Sequence, residues 1–231
     1  MRLKISVIPK ENFLFNEIRQ DHIQGLIWNL LRTSEYSLLH DKPKFKYFCF
    51  SEFFPPTNFK EDEKKLFFIS SPDKFLIKVL YKKFKELEGI KLSCYNFEFK
   101  LSKPFDLKFR KRWITGSPIV LQVERNIYWS KKYHSLDLFL RRLKENALKK
   151  YNSFYKETLE FEEELFDSLI LKKQVAVFIR KDQRDRRIIG TKWIFEKIHY
   201  PKELRKFYKF ILDCGLGEKN SMGFGFVNPE N

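Results

Sequence analysis

The sequence of 231 residues predicts an α+β fold made of two βαββαβ units in tandem. Stretches in which apolar and polar residues alternate are typical of half-buried strands, and they are interspersed with stretches of helical spacing. The order of these stretches is βαββαβ in residues 1–112 and recurs, less regularly, in residues 113–231. That order defines the ferredoxin-like unit, and the chain is long enough to give each unit its own core.

The first half of the chain offers one predicted element for each position of the motif. In the opening strand, Leu3, Ile5 and Val7 lie on one face. The helix that follows carries its apolar residues at helical spacing, and the polar loop after it contains His40. The predicted elements are strand 2–8, helix 20–34, strands 44–53 and 65–70, helix 72–87 and strand 90–101.

The second half repeats this order with less regular spacing. A charged turn at residues 182–187 joins two strands into a predicted hairpin, and Pro201 begins the last helix. We expect the joint between the two units near residues 111–117. The predicted elements are strand 118–124, helices 133–155 and 160–171, strands 172–181 and 190–199, helix 201–214 and strand 223–228.

The charge balance predicts a polyanionic partner. The chain has 46 Lys and Arg residues against 30 Asp and Glu residues, which gives a formal net charge of +16. Such an excess most often serves nucleic-acid binding, and basic clusters at residues 103–112 and 180–187 favour a surface that follows a phosphate backbone. The alternative is a lysine-rich proteome of an AT-rich or heat-adapted organism.

Several classes of protein are excluded by composition. A hydrophobic content of 43% rules out broad disorder, and no stretch is apolar for long enough to span a membrane. The first residues alternate like a strand and lack the core of a signal peptide, so we expect a cytoplasmic protein. The three cysteines are isolated, which argues against a disulfide framework and against zinc, and no cofactor motif is present.

The most distinctive segment is a glycine-rich stretch near the end of the chain. Four of the eight glycines, Gly215, Gly217, Gly223 and Gly225, surround the polar run 219–221. The stretch lacks the Lys-Ser or Lys-Thr of a P-loop and the third glycine of a dinucleotide fingerprint. We expect backbone amides and Lys219 to lie near RNA phosphates, with Asn220 and Ser221 bonding the RNA or bracing the loop. The alternative is a tight helix-to-strand connection without a ligand.

Three segments resemble one family of proteins. The run from Gly215 to Gly225 resembles the signature loop of CRISPR-associated repeat-processing endoribonucleases, the Cas-six family of the RAMP superfamily. Residues 24–29 resemble that family's first helix, and residues 115–119 resemble the opening of its second domain. The resemblance implies two RRM-like domains that bind CRISPR repeat RNA (pre-crRNA) and cut it once per repeat without a metal. It also implies attack by a 2'-hydroxyl, which leaves a 2',3'-cyclic phosphate and a 5'-hydroxyl.

The resemblance also implies the catalytic residues. His40 falls at the position of the family's histidine, and Lys44 is the first candidate for its lysine. The family's tyrosine on the first helix is replaced by Trp28, whose indole cannot exchange a proton usefully. Tyr47 is the candidate for that vacant role, and Lys46 is a second candidate cation for RNA contact.

Two other functions remain open at this level. The same fold could hold repeat RNA with weak or no cleavage, or it could be a structural subunit of a CRISPR effector complex. The sequence also leaves open whether the chain forms a homodimer.

Overall fold

The computed structural model describes residues 1–181 and 184–230 as an α+β protein with two main antiparallel sheets, one of five strands and one of four. The charged turn expected at 182–187 includes residues 182 and 183, which lie outside the described residues. The strands are β1 Arg2–Pro9, β2 Cys49–Phe50, β3 Lys65–Ser70, β4 Ile90–Leu92, β5 Tyr95–Leu101, β6 Arg112–Thr115, β7 Gln122–Glu124, β8 Ile127–Tyr128, β9 Ser168–Lys181, β10 Arg184–Glu196 and β11 Val227–Glu230. The helices are α1 Gln20–Leu31, α2 Lys74–Lys85, α3 Leu136–Tyr155 and α4 Arg205–Cys214.

Both sheets have the strand order of the ferredoxin-like unit. The first sheet runs β2-β3-β1-β5-β4, in which β4 is a short addition at the edge beside β5. The second runs β11-β6-β10-β9, with the hairpin β7-β8 inserted before α3. Numbered by position in the motif, each sheet reads 4-1-3-2 apart from that edge addition. The predicted fold class is therefore confirmed.

Each sheet has its own core. The inward residues of β1 pack with Ile27 of α1 and Leu80 of α2, and all of these side chains are buried. In the second unit, Trp113 and Phe195 pack with buried residues of α3 and α4. The apolar alternation and the helical spacing seen in the sequence thus mark the faces that meet in these two cores.

Three predicted elements were wrong. The strand expected at 44–53 is reduced to β2, because Tyr47 adopts a left-handed conformation with a φ of 51° and interrupts the extended backbone. The helix expected at 160–171 is absent, since Lys156 ends α3 in a left-handed conformation and the chain then enters β9. The strand expected at 118–124 is not the first strand of the second sheet: β6, which lies within the joint expected at 111–117, takes that position, and the expected strand is reduced to β7 of the inserted hairpin.

A buried arginine links the two units. Arg2 of β1 is fully buried, and its guanidinium donates hydrogen bonds to the carbonyls of Leu212 (2.9 Å) and Val227 (2.6 Å). It also lies 4.3 Å from the centre of the Phe226 ring. Burial lowers the pKa of Arg2 to about 10. Since these partners belong to the second unit, Arg2 fixes the relative position of the units and so shapes the cleft between them.

The described residues contain neither a membrane-spanning helix nor a cluster of metal-binding side chains. No helix there combines the length and the apolar character that crossing a bilayer requires. Within the same residues, no three side chains of His, Cys, Asp or Glu come together as a metal site.

Candidate functional site

The loop after α1 presents His40 to solvent. A single 3₁₀ turn, Ser37–Leu39, follows α1, and His40 lies at its end with about half of its side chain exposed. The imidazole Nδ1 is 2.6 Å from Oδ1 of Asp41. The ring meets the indole of Trp28 edge to face, with centroids 4.9 Å apart. His40 is thus held on two sides, and in the part of the chain that the structure describes no hydrogen bond engages Nε2, the nitrogen that could transfer a proton.

Lys46 stabilises the loop after α1 that carries His40, here called the histidine loop, through hydrogen bonds to its backbone. Its ammonium donates hydrogen bonds to the carbonyl oxygens of Leu39, of His40 (3.1 Å) and of Lys42 (2.5 Å). An ammonium has three N–H donors, so these carbonyls occupy all of them. Burial lowers the pKa of Lys46. The expected RNA contact at Lys46 finds no support in this geometry, which instead assigns the side chain to the shape of the loop.

Tyr47 faces the second unit rather than His40. Its hydroxyl donates a hydrogen bond to Oγ of Ser153 on α3 (2.8 Å), and its ring packs against Phe154 and Phe210. Burial raises the pKa of Tyr47. In the part of the chain that the structure describes, no hydrogen bond connects His40 with either Lys44 or Tyr47. The structure therefore does not bring the three proposed catalytic side chains into direct contact.

A cleft of about 400 Å³ lies between the histidine loop and the second unit. Its walls come from residues 44–48, from one side of α3 and from the glycine loop 215–225. Five lysines and one glutamate line it, which makes it a site for an anionic ligand. These charged residues are Lys44, Lys46, Lys149, Lys150, Glu218 and Lys219.

His40 lines a smaller neighbouring cleft of about 310 Å³. The other wall consists of Trp28 and Asn29 of α1 and of Arg32, which directly follows the helix. Phe48 connects the two clefts, because it packs against Trp28 of this cleft and also lines the lysine-rich one.

The glycines serve close packing inside the protein. A Cβ on Gly225 would lie 1.8 Å from the carbonyl oxygen of Leu216, and one on Gly217 would lie 2.6 Å from that of Val120. The amides of Gly215, Gly223 and Gly225 donate to the carbonyls of other residues of the chain. These three amides are therefore not available to RNA. The alternative considered above, a tight connection between helix and strand, accounts for part of the glycine content.

Within the loop, Asn220 is a brace. Its Nδ2 donates to the carbonyls of Leu216 (3.0 Å) and Phe224 (3.1 Å), and its Oδ1 accepts a hydrogen bond from Lys150 (2.8 Å). Of the two roles expected for Asn220, the geometry supports bracing. Lys219 and Ser221 line the cleft and are half-buried, so they carry the polar surface that the loop presents.

Sequence reasoning missed the contribution of α3. Asn146, Lys149 and Lys150 line the cleft from this helix, and Ser153 holds Tyr47 beside it. One signal was present: Lys150 falls on the buried stripe of the helix with Leu143 and Ala147, at a position where an apolar residue would be expected. A lysine in such a stripe indicates a buried polar network.

Comparison with known proteins identifies the family. The family described as "CRISPR associated protein Cas6, C-terminal" matches residues 106–229, which is more than half of the chain and includes the glycine loop. This match confirms the resemblance seen in the sequence.

Two proteins of Methanocaldococcus jannaschii match almost the whole chain. The one named CRISPR-associated endoribonuclease Cas6 2 is 44% identical over 239 residues, which cover 99% of this chain and 99% of that protein. The one named CRISPR-associated endoribonuclease Cas6 1 is 30% identical over 248 residues, which cover 98% of this chain and 92% of that protein.

Solved structures support the same fold. One described as "CRISPR associated protein Cas6" aligns with a TM-score of 0.73 at 24% identity, over 100% of this chain and 99% of its own. Another, described as "An RAMP protein binding different RNA substrates", aligns with a TM-score of 0.72 at 20% identity, over 100% of both chains. The family match and the 44% identical relative together establish that this chain belongs to the Cas6 family of CRISPR-associated endoribonucleases.

Proposed function

We propose that this chain binds CRISPR repeat RNA (pre-crRNA) and cuts it once per repeat without a metal ion. The 2'-hydroxyl beside the scissile phosphate attacks the phosphorus, and the bond to the 5'-oxygen of the next nucleotide breaks. The products are a 2',3'-cyclic phosphate and a 5'-hydroxyl. The observation that supports this proposal best is the exposed imidazole of His40 beside a cleft lined by five lysines, in a chain of the Cas6 family.

His40 is the proton-transfer residue of this proposal. With the Nδ1 proton donated to Asp41, Nε2 of a neutral imidazole accepts the proton of the 2'-hydroxyl. In the protonated form, the same atom donates a proton to the departing 5'-oxygen. Either transfer contributes roughly 10²–10⁴-fold to the rate.

Lys44 is proposed as the cation that stabilises the charge on the phosphorane. Its side chain is exposed and lines the lysine-rich cleft, and among the described residues no hydrogen bond or ion pair holds its ammonium, so it can reach a phosphate. Lys149, Lys219 and Ser221 are proposed to contact RNA from the opposite walls. We propose that Asn220 and the four glycines of the loop hold Lys219 and Ser221 in position and do not contact the RNA themselves.

A second candidate function is RNA binding with weak cleavage. Two observations favour it: Trp28 stands where the family's tyrosine is expected, and the Tyr47 hydroxyl is bonded to Ser153. On this account the protein holds repeat RNA for another component, as a homodimer or within a CRISPR effector complex. Sedimentation of the protein with and without RNA tests the homodimer.

The test is an analysis of product ends. A labelled cognate CRISPR repeat is incubated with the protein in EDTA, and a second substrate carries a 2'-deoxynucleotide on the 5' side of the mapped cut. We expect one cut that ends in a cyclic phosphate for the first substrate and no cut for the second. Binding of both RNAs without a cut would instead support the RNA-holding function, and cleavage of the deoxy substrate would exclude 2'-hydroxyl attack.

A further inference from the structure

Lys150 is a buried cation whose partners are all neutral. Only 2% of the residue is exposed, yet its ammonium donates to the carbonyls of Gly215 (2.7 Å) and Gly217 (2.9 Å) and to Oδ1 of Asn220 (2.8 Å). Three donors meet three acceptors, so the group is fully hydrogen-bonded. Within the described residues, no carboxylate pairs with it. Burial lowers the pKa of Lys150, which reflects the cost of keeping the cation there.

All three acceptors belong to the glycine loop. Gly215 and Gly217 have φ angles of 88° and 65°, a region that favours glycine, and in these conformations their carbonyls point to the ammonium. The side-chain oxygen of Asn220 accepts a hydrogen bond from Lys150, and its nitrogen donates to the carbonyls of Leu216 and Phe224. Lys150 and Asn220 thus form one polar centre around which the loop is folded.

An apolar residue would satisfy packing at position 150. Leu143 and Ala147 precede it on the same buried stripe of α3, and a methionine would fill a similar volume. Such a residue would leave two buried carbonyl oxygens, those of Gly215 and Gly217, and the half-buried Oδ1 of Asn220 without this donor, which is unfavourable. The lysine is therefore explained by the loop that it holds rather than by the core of the helix.

We propose that Lys150 is a positioning residue for RNA binding, which orders the glycine loop so that Lys219 and Ser221 face the cleft. This inference rests on the proposed function of that cleft. Because its three protons are used inside the protein, Lys150 itself does not contact the RNA. Its neighbour Lys149 is exposed and lines the same cleft, so the two lysines have different tasks although they are adjacent in sequence.

The test compares Lys150→Met with Lys149→Met, the same substitution one residue apart. For Lys150→Met we expect the dissociation constant for repeat RNA to rise about tenfold or more, because a loop that is no longer ordered in the free protein must be ordered when the RNA binds. Amide hydrogen exchange should accelerate in peptides that cover residues 215–226 and stay unchanged in β1 and β3. Cleavage at saturating RNA should change by less than about threefold, because His40 lies on a different loop. Lys149→Met should weaken binding without changing exchange in the loop.

Three outcomes would overturn the proposal. The first is that amide exchange in the glycine loop of Lys150→Met equals that of wild type. The second is that exchange in Lys150→Met is faster throughout the protein while its folded fraction binds RNA with unchanged affinity. The third is that Lys150→Met and Lys149→Met show the same exchange pattern. If Lys150→Met does not fold, Asn220→Ala replaces it, because it removes one acceptor of the Lys150 ammonium. The same weaker RNA binding and faster exchange in the loop are then expected. If the wild type binds no repeat RNA, the proposed function fails, and loop exchange alone then decides whether Lys150 orders the loop.

Discussion

The indole of Trp28 and the imidazole of His40 meet edge to face, with ring centroids 4.9 Å apart and planes at 89°. Trp28 also packs against Phe48 (5.4 Å), so it connects the histidine to the wall of the lysine-rich cleft. An indole has no proton to exchange near neutral pH, and it therefore acts on His40 by orientation alone.

Replacing Trp28 should reduce the rate of cleavage rather than the affinity for RNA. Trp28→Ala removes the surface on which the imidazole rests, and we expect the single-turnover rate to fall roughly tenfold to a hundredfold because misplaced catalytic groups lose rate steeply. Trp28→Phe keeps an aromatic face and should retain most of the rate. Rates for Trp28→Ala within a factor of about two of wild type would show that orientation by the indole is unimportant.

The lysines of the cleft should contribute to binding through phosphates. Lys44→Met, Lys149→Met and Lys219→Met are each expected to reduce the slope of log K against log salt by about 0.7, the value for one phosphate contact on single-stranded RNA. The control is Lys78→Met, an exposed lysine of α2 that lines neither cleft. Fluorescence titrations between low and moderate salt measure the slopes. Equal slopes for the control and all three cleft variants would place the RNA elsewhere.

The hydroxyl of Tyr47 should matter little for cleavage. It donates to Ser153, whose side chain is exposed, so solvent replaces the lost partner in Tyr47→Phe. We expect a rate within about threefold of wild type, in line with the small net worth of an exposed hydrogen bond. Tyr47→Ala also removes the packing on Phe154 and Phe210 and should lower the melting temperature. A large loss of rate in Tyr47→Phe with normal stability would make the tyrosine catalytic after all.

Arg2 should be required for the joined architecture of the two units. In Arg2→Met, the buried carbonyls of Leu212 and Val227 lose their donor, which should lower the free energy of unfolding by on the order of 3 kcal/mol. The control is Arg112→Met, where an ion pair with Glu230 is about half exposed and should be worth about 1 kcal/mol or less. Urea denaturation measures both. Similar losses in the two variants would argue against Arg2 as the link.

The sequence predicted the fold well because its core faces are periodic. The alternation of Leu3, Ile5 and Val7 and the helical spacing of α1 correspond to buried residues in the first unit. Errors arose where a single backbone conformation decides the outcome. The left-handed φ angle at Tyr47 interrupts the strand expected at 44–53, and that at Lys156 ends α3. Tyrosine and lysine rarely adopt this conformation, so neither residue type predicts it.

The candidate site was only partly predictable for a different reason. His40 and the glycine loop follow from the family resemblance, which is local in sequence. The partners that give each residue its task are distant: Ser153 bonds Tyr47, and Lys150 holds Asn220, across separations of 106 and 70 residues. The first pairing depends on how the two units pack together and the second on the tertiary packing within the second unit, and no local pattern encodes either.

We predict that His40 carries out proton transfer in RNA cleavage, and one comparison of three proteins tests this role most directly. Single-turnover cleavage of a cognate CRISPR repeat in EDTA is measured for wild type, His40→Ala and His199→Ala, the last being an exposed histidine that lines neither cleft. We predict a loss of roughly a hundredfold or more for His40→Ala, with RNA affinity retained, and a normal rate for His199→Ala. Cleavage by His40→Ala at the wild-type rate would contradict the account.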